Sequence, residues 1–585
     1  MSTGGPDAAA GAPGGPRAAA ASVLVVGAGP VGLTAAHELA RRGVRVRVVD
    51  RAPGPAVTSR ALAVHARTLE VLDQMTVLDT LLLRGRRVEH FSVHLRGRTL
   101  VRFDTDYSEM PTRFPFSLMV DQVVTERVLR ERLSGLGVEV EWGVGLDDFT
   151  PHEDRVDVVL STRQGPAEHL GVPWLVGADG ARSTVRKRLG LRLVGDAAQT
   201  WLNADVRMDA RLPGDSNHLL HTGKGTLLLV PFPEQGKWRV VDTQDVDGAE
   251  DPEKVRARLE QKVSAALARP VAVSEPSWIS VFTVQQRMIA QMRVGRCFVA
   301  GDAAHVHSPA SGQGMNAGIQ DAYNLAWKLA DVVRGHAGDG LLDSYSAERV
   351  PIGERLLGST RVATALVALR NALGPYLLPV ALGLVRNTRP VKARLERKMI
   401  RSFCGLTVSY AGSPLSPPPA GPSPGPGAGR GPRPGERVGF TAEDLAGHAG
   451  WREMCEELRS PRWTLLARAD GDGAPDLVEE IGRAYGEAVS VRDVTGSASG
   501  RAGRRALPDP GGALSRGLGL VPGEFALIRP DGYLAARGPF TDRDRVTGVL
   551  GRLGLLARPL PAPGASPAAG ASPASPVPRA APHRT

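Results

Sequence analysis

The chain has 585 residues, too many for a single hydrophobic core, and its 42% hydrophobic and 23% charged content describes a globular protein of several domains, which excludes a fibrous or wholly disordered one. Lys+Arg 72 against Asp+Glu 61 leaves a net charge of +11, but the surplus is dispersed and no basic block interleaves with aromatics. It reads as solvated surface with mild steering toward anionic cofactors, and no nucleic-acid partner is expected.

Residues 1–21 are rich in Ala, Gly and Pro without an apolar core, so they read as a disordered leader and not as a secretory signal. An apolar run Val23–Val26, a helical pattern from Gly27 to Arg42 and a second run Val44–Val49 predict strand, turn, helix, strand, the opening of a parallel α/β unit. Thr68–Leu78 and Thr125–Leu133 read as helices, Val138–Trp142 as a strand, and Glu89–Phe103 as a hairpin turning near Arg96-Gly97. Strands follow at Arg155–Thr162 and Gly171–Val176, then antiparallel ones at Trp201–Asp209, Gly225–Pro231 and Trp238–Thr243. A short strand Cys297–Ala300 precedes a long helix Met315–Gly335, and helical segments run on to Cys404. Ala372–Val385 spans only 14 residues, too short for a bilayer, and is expected to be a buried helix pair broken at Pro375 and Pro379. Residues 412–436 form a Pro/Gly linker. Beyond it, βαβ…ββα is read over Trp463–Leu553, with Pro530-Asp531-Gly532 as a hairpin turn, and 557–585 is another disordered tail. Cys297, Cys404 and Cys455 form no CxxC, which argues against a disulfide framework and a metal site and fits a reducing cytoplasm.

Three segments carry chemistry. In Gly27-Ala28-Gly29-Pro30-Val31-Gly32 the first glycine permits a tight turn, the second lets backbone approach a pyrophosphate, and the third lets helix and strand pack closely. The helix N-terminus offers free N–H groups to phosphate, and Asp50, 18 residues after Gly32, can accept from ribose hydroxyls. Asp179-Gly180 follows a strand and precedes a helix start at Ser183–Arg186. Asp302 ends the strand Cys297–Ala300, and a glycine-rich loop through Pro309, Gly312, Gly314, Met315 and Asn316 enters the long helix that carries Asp321 and Asn324. His305 and His307 lack metal-ligand spacing and read as structural, as do Glu348, Arg349 and Pro351.

Together these segments, over Ser22–Arg401, resemble the class A flavoprotein monooxygenases with the para-hydroxybenzoate hydroxylase fold, closest to bacterial aromatic polyketide hydroxylases with a C-terminal thioredoxin-like domain. The resemblance implies a Rossmann-like FAD-binding domain, an interleaved antiparallel substrate sheet and a C-terminal α/β domain. Its expected divisions are 22–85, 105–190 and 288–411 for FAD, 86–104 and 191–287 for the substrate sheet, and 437–556 for the thioredoxin-like domain. It places Gly27, Gly29, Pro30 and Gly32 on the FAD pyrophosphate and Asp50 with Arg51 at the adenosine ribose. Arg60 and Ala61 fall near the FAD phosphates and the incoming nicotinamide, and Gln122 at the flavin. Asp179 and Gly180 serve FAD and NAD(P)H, Asp302 the ribityl chain, and Pro309, Gly312, Gly314, Met315 and Asn316 the isoalloxazine.

No second GxGxxG lies between a strand and a helix, so NADPH or NADH is expected to bind transiently over the same domain. The implied reaction is hydroxylation of an electron-rich phenolic ring, of polycyclic polyketide type, by molecular oxygen through a flavin C4a-hydroperoxide, without membrane attachment, in a monomer or homodimer. No side chain is named as catalytic. Leu227, Leu229, Pro231, Phe232 and Trp238 are candidate lining residues as well as candidate core. The alternatives are a Baeyer–Villiger oxygenase on the same scaffold and a non-catalytic flavin-binding protein. The C-terminal domain, lacking paired cysteines, is read as an interaction or dimerisation module.

Overall fold

The computed structural model describes residues 21–162, 165–222, 225–308, 312–367, 374–417, 431–468, 474–496, 506–540 and 543–557. Its nucleotide-binding half is built from β1 (Val23–Val26), α1 (Pro30–Arg41), β2 (Val46–Asp50), α2 (Gln122–Ser134), β3 (Val140–Trp142), β4 (Trp174–Gly177), β5 (Cys297–Val299) and α3 (Gly314–Val333). The strands lie parallel in the order β5-β4-β1-β2-β3, with the antiparallel pair-strand Arg293–Val294 beyond β5. β1, β4 and β5 are buried along their whole length, as expected of a parallel sheet covered on both faces. α1 packs on α2 and α3, so three stretches far apart in sequence meet around the end of β1.

The second layer is an eight-stranded sheet in the order His305–Val306, Trp278–Met288, Val194–Arg207, Lys237–Asp242, Thr226–Pro231, Ser216–His221, His90–Leu95 and Arg98–Asp104. The hairpin turn at Arg96-Gly97 has both residues at positive φ (47° and 75°), the geometry the sequence suggested. Ser216–His221 and Trp278–Met288, and the helix Pro252–Leu267, were not expected. Leu202, Ala204, Leu220, Leu227, Leu229, Trp238 and Val240 pack on that helix from one sheet face. Trp201, Leu219, Leu228, Val241 and Val284 turn to the other face, toward the helices Gly374–Asn387 and Arg389–Phe403. The break expected at Pro379 does not occur, since Gly374–Asn387 is one helix, with Pro375 at its start; Val380 and Leu384 on it are solvent-exposed.

The C-terminal sheet runs Ala506–Pro508, Val489–Thr495, Trp463–Arg468, Glu524–Ile528, Leu534–Pro539, the first three parallel and the last two antiparallel, a thioredoxin-like arrangement. Its hairpin turn Arg529–Tyr533 inserts into the nucleotide-binding half. The fully buried Arg529 guanidinium grips both oxygens of Glu348 at 2.6 and 2.9 Å, and Glu348 also accepts from Lys328 Nζ at 2.7 Å. Asp531 accepts from Asn324 Nδ2 at 3.3 Å and Trp327 Nε1 at 3.2 Å, and its carbonyl accepts from Arg67 at 2.7 Å. The Arg529 and Lys328 cations hold the Glu348 carboxyl well below the usual carboxylate range against the effect of burial. Of the Pro/Gly linker, the ends 412–417 and 431–436 are packed: Leu415 is buried and the Gly435 N–H donates to Leu534 O.

Candidate active site

The turn after β1 has the local geometry its glycines demand. Gly27 stands at φ +105°, and a Cβ there would strike the carbonyl of Ala178 beside Asp179; a Cβ on Gly32 would overlap the carbonyl oxygen of Gly27. Beside Gly29 there is open space, which leaves room for a bulky group at the N-terminus of α1, where Pro30 occupies the first helical position. Asp50 closes the turn: its carboxylate accepts from Ala28 N at 2.7 Å and from Ala52 N at 2.8 Å. Next to it, Arg51 donates to Thr184 Oγ1 at 3.0 Å and borders a cleft of about 460 Å³ that also meets Gly143 and Gly145.

Asp179 follows β4 and caps the helix Thr184–Arg188, one carboxylate oxygen accepting from Thr184 N at 2.6 Å and Val185 N at 3.2 Å, while its Oδ1 is buried without a partner. Gly180 sits at φ +76°. Arg186 then donates to Ala181 O (3.0 Å) and Ala303 O (3.2 Å), tying this segment to the one that bears Asp302.

Asp302 is exposed to solvent, yet enough protein surrounds its carboxyl that desolvation raises the pKa, opposed by the charges of His305 and Arg60. The turn presenting it is held by Asp321, whose Oδ2 accepts from Gly301 N at 3.1 Å and lies 2.6 Å from His305 Nε2, while Oδ1 accepts from Arg349 Nε at 2.6 Å. Burial would raise the Asp321 pKa, but Arg349 and His305 outweigh it and hold it at about 2. His307 Nε2 extends the chain, 2.8 Å from His305 Nδ1. His305 is therefore the partner of a carboxylate and His307 of the His305 ring, and among the described residues no cluster could hold a metal ion.

Gly312 (φ +63°), Gly314 and Met315 form the entry to α3, with open space beside Gly314. Asn316 does not offer its side chain to that space: Nδ2 donates to Ala63 O and Gly312 O, both at 2.8 Å, and Oδ1 accepts from His65 N at 2.9 Å. Its role in the structure is to latch the loop to the Ala63–His65 segment. Pro309 lies outside the described residues. Ala61 N donates to Gln122 Oε1 at 3.0 Å, so Gln122 braces the segment that carries Arg60. Arg60 is exposed, and its charge acts on both Asp302 and Glu126.

The sheet face toward the segment that carries Arg60 is the one bearing Leu228, Val230, Arg239 and Val241, because Val230 packs by Leu62, Ala63 and Met119 and Arg239 reaches the carbonyls of Ser59 and Arg60. Leu227, Leu229, Pro231 and Trp238 are thus corrected as lining residues: they alternate onto the opposite face, where all but Pro231 are in the core around Pro252–Leu267. Phe232 lies at the junction, against Leu62 and Met119. Asp205 and Arg239 were missed. They are 34 residues apart with no motif between them, and only the register of their strands pairs them.

The donors and spaces fit a dinucleotide flavin: backbone N–H groups at two helix N-termini, room beside Gly29 and Gly314, an orphaned acceptor on Asp179 and an exposed carboxylate on Asp302. Comparisons agree. A family model described as FAD binding domain matches residues 20–360. The chain is 59% identical over 550 residues, 94% of its length and 96% of the other's, to a 6-methylpretetramide 4-monooxygenase of Streptomyces rimosus. Its structure superposes with TM-score 0.72 and 27% identity on an aklavinone-11 hydroxylase in ternary complex with FAD and aklavinone, covering 91% of this chain and 99% of that one. The flavin-dependent monooxygenase PieE, solved with FAD and substrate, shares the fold at TM-score 0.76 and 23% identity, over 92% of this chain and 99% of that one.

Proposed function

The chain belongs to the FAD binding domain family, and on that premise we propose that its substrate is a linear polycyclic phenol of the 6-methylpretetramide type, hydroxylated on an electron-rich ring. It is an FAD-dependent aromatic monooxygenase with NAD(P)H as the family's reductant, and the relatives give no support to a Baeyer–Villiger outcome. The identity of 59% across 94% of the chain, sheet domain included, carries the substrate class, because a partial match would leave the chamber untested.

FAD, when bound, supplies electron transfer from NAD(P)H and activation of molecular oxygen. The chain's own residues do the rest. Gly27, Gly29 and Gly32, with Pro30 opening the helix, bring backbone to the pyrophosphate; Asp50 and Arg51 hold the adenosine ribose; Asp179 and Gly180 serve FAD and the reductant; Asp302 accepts from the sugar chain. Gly312, Gly314 and Met315 present the α3 N-terminus, whose partial positive charge favours negative charge developing beside it. Asn316 and Gln122 act as braces. The apolar face around Leu219, Leu228, Val230 and Val241 stacks a flat ring system and excludes water. The divisions 22–85, 105–190 and 288–411 for the cofactor and 86–104 with 191–287 for the ring system belong to the same reading. Among the described residues no helix is long and apolar enough to cross a membrane.

The test is incubation of the FAD-loaded protein with NADPH or NADH, 6-methylpretetramide and ¹⁸O-labelled oxygen gas. A product heavier by one labelled oxygen atom is expected. Label drawn from water, or NAD(P)H oxidation that the phenol does not stimulate, overturns the proposal.

A further inference from the structure

Arg239, 4% exposed, occupies an unusual position between the two layers. Its Nε and Nη2 meet the two oxygens of Asp205, each at 2.8 Å, while Nη1 donates to Arg60 O at 2.7 Å and Nη2 also to Ser59 O at 2.8 Å. Trp278 flanks the guanidinium at 4.8 Å and Phe232 at 5.5 Å. Four donations from one planar group, held by a bidentate carboxylate and by rings, cannot be reproduced by an ammonium. From the other side the same segment is held by Ala61 N on Gln122 Oε1 at 3.0 Å, Val123 N on Ser59 Oγ at 3.3 Å and Val120 N on Leu62 O at 2.8 Å. The Arg60 backbone is thus clamped between the sheet and the cofactor half. Its guanidinium, among the described residues, makes no hydrogen bond or ion pair, and its charge acts on Asp302.

We infer that Asp205 and Arg239 are positioning residues for the reductive step: by gripping Arg60 through its own carbonyl, they hold the Arg60 cation where an anionic nicotinamide dinucleotide meets it, at a fixed offset from the sheet that carries the aromatic ring. This rests on the reading that Arg60 serves the reductant. With the Arg239 donors taken up by Asp205 and the carbonyls of Ser59 and Arg60, the pair acts through Arg60. Asp205 and Arg239 occupy adjacent strands of the substrate face, so Arg60 keeps its place only while that part of the sheet keeps its register.

Steady-state and anaerobic stopped-flow kinetics on the FAD-loaded enzyme test this with Arg60→Ala, Arg239→Lys, Asp205→Asn and the double variant Arg60→Ala/Arg239→Lys. Arg239→Lys is expected to raise the KM for NAD(P)H about tenfold, with kcat at saturating reductant, flavin content and substrate affinity within about twofold of the parent. Because it acts through Arg60, the double variant should match Arg60→Ala alone within about twofold, whereas a merely structural role would multiply the two effects. Asp205→Asn carries the same expectation should Arg239→Lys not fold. A normal KM in both clamp variants, or multiplicative effects in the double variant, overturns the proposal while leaving Arg60 as the reductant's contact; a normal KM in Arg60→Ala overturns both.

Discussion

Asp321 shows how much one buried carboxylate decides. It fixes the N–H of Gly301, the ring of His305 and the guanidinium of Arg349, and so the turn from which Asp302 is presented. The glycines of the first turn are as constrained: Gly32→Ala must displace the Gly27 carbonyl, and we expect it to cost about 1–3 kcal/mol by overpacking and to yield protein with a reduced ratio of 450 nm to 280 nm absorbance. The buried His94 behaves differently. Burial and the neighbouring His218 push it down from 6.5 to about 4, so the unfolded chain binds the proton that the folded one refuses. Its neutral form contributes stability above pH 6.5 that is lost as pH falls toward 4, about 2 kcal/mol between pH 7 and 5. Urea midpoints at the two pH values should separate for the parent and draw together for His94→Asn; equal separation in both would refute the assignment. At this scale the tight turn of Gly27–Gly32 was legible because its glycines form one short motif between a strand and a helix. Asp205 and Arg239 were not, because nothing local marks a pair that exists only through strand register.

At the scale of elements, alternation was legible and its sense was not. The stretch Thr226–Pro231 announces a strand, but period two cannot tell which face meets the helix Pro252–Leu267 and which the opposite side, so lining and core both stood open for Leu227, Leu229 and Trp238, and the structure places them in the core. The helix Gly374–Asn387 continues through Pro379, against the usual cost of an interior proline. The hairpin Arg529–Tyr533 was read correctly from Pro530-Asp531-Gly532, with Gly532 at φ +78°, yet its partners lie more than 180 residues upstream and could not be. Arg529→Met leaves Glu348 and Asp531 buried without their shared cation, and we expect a loss of about 3–5 kcal/mol in urea unfolding. A change within 1 kcal/mol would mean that Lys328 alone suffices.

At the scale of the molecule, the thioredoxin-like domain shares a buried core with the nucleotide-binding half. Trp463 stands against Trp327 with ring centroids 5.3 Å apart and donates to Asp331 at 3.0 Å, and Arg437 pairs with Glu70 at 3.0 Å. The two regions should unfold in one calorimetric transition, and removal of residues 431–585 should abolish soluble, flavin-retaining protein; two resolved transitions would show that the shared charges are dispensable.

That shared core orders events in time as well as in space. During translation the ribosome releases Lys328 and Glu348 long before Arg529, which follows Glu348 by 181 residues. A nascent chain halted in the Pro/Gly stretch carries Glu348 with Lys328 but without the guanidinium that donates to both its oxygens, so its cofactor-binding half waits, incompletely packed, until Arg529 is made. The order of synthesis thus leaves one buried carboxylate half-satisfied until a turn 181 residues downstream reaches it.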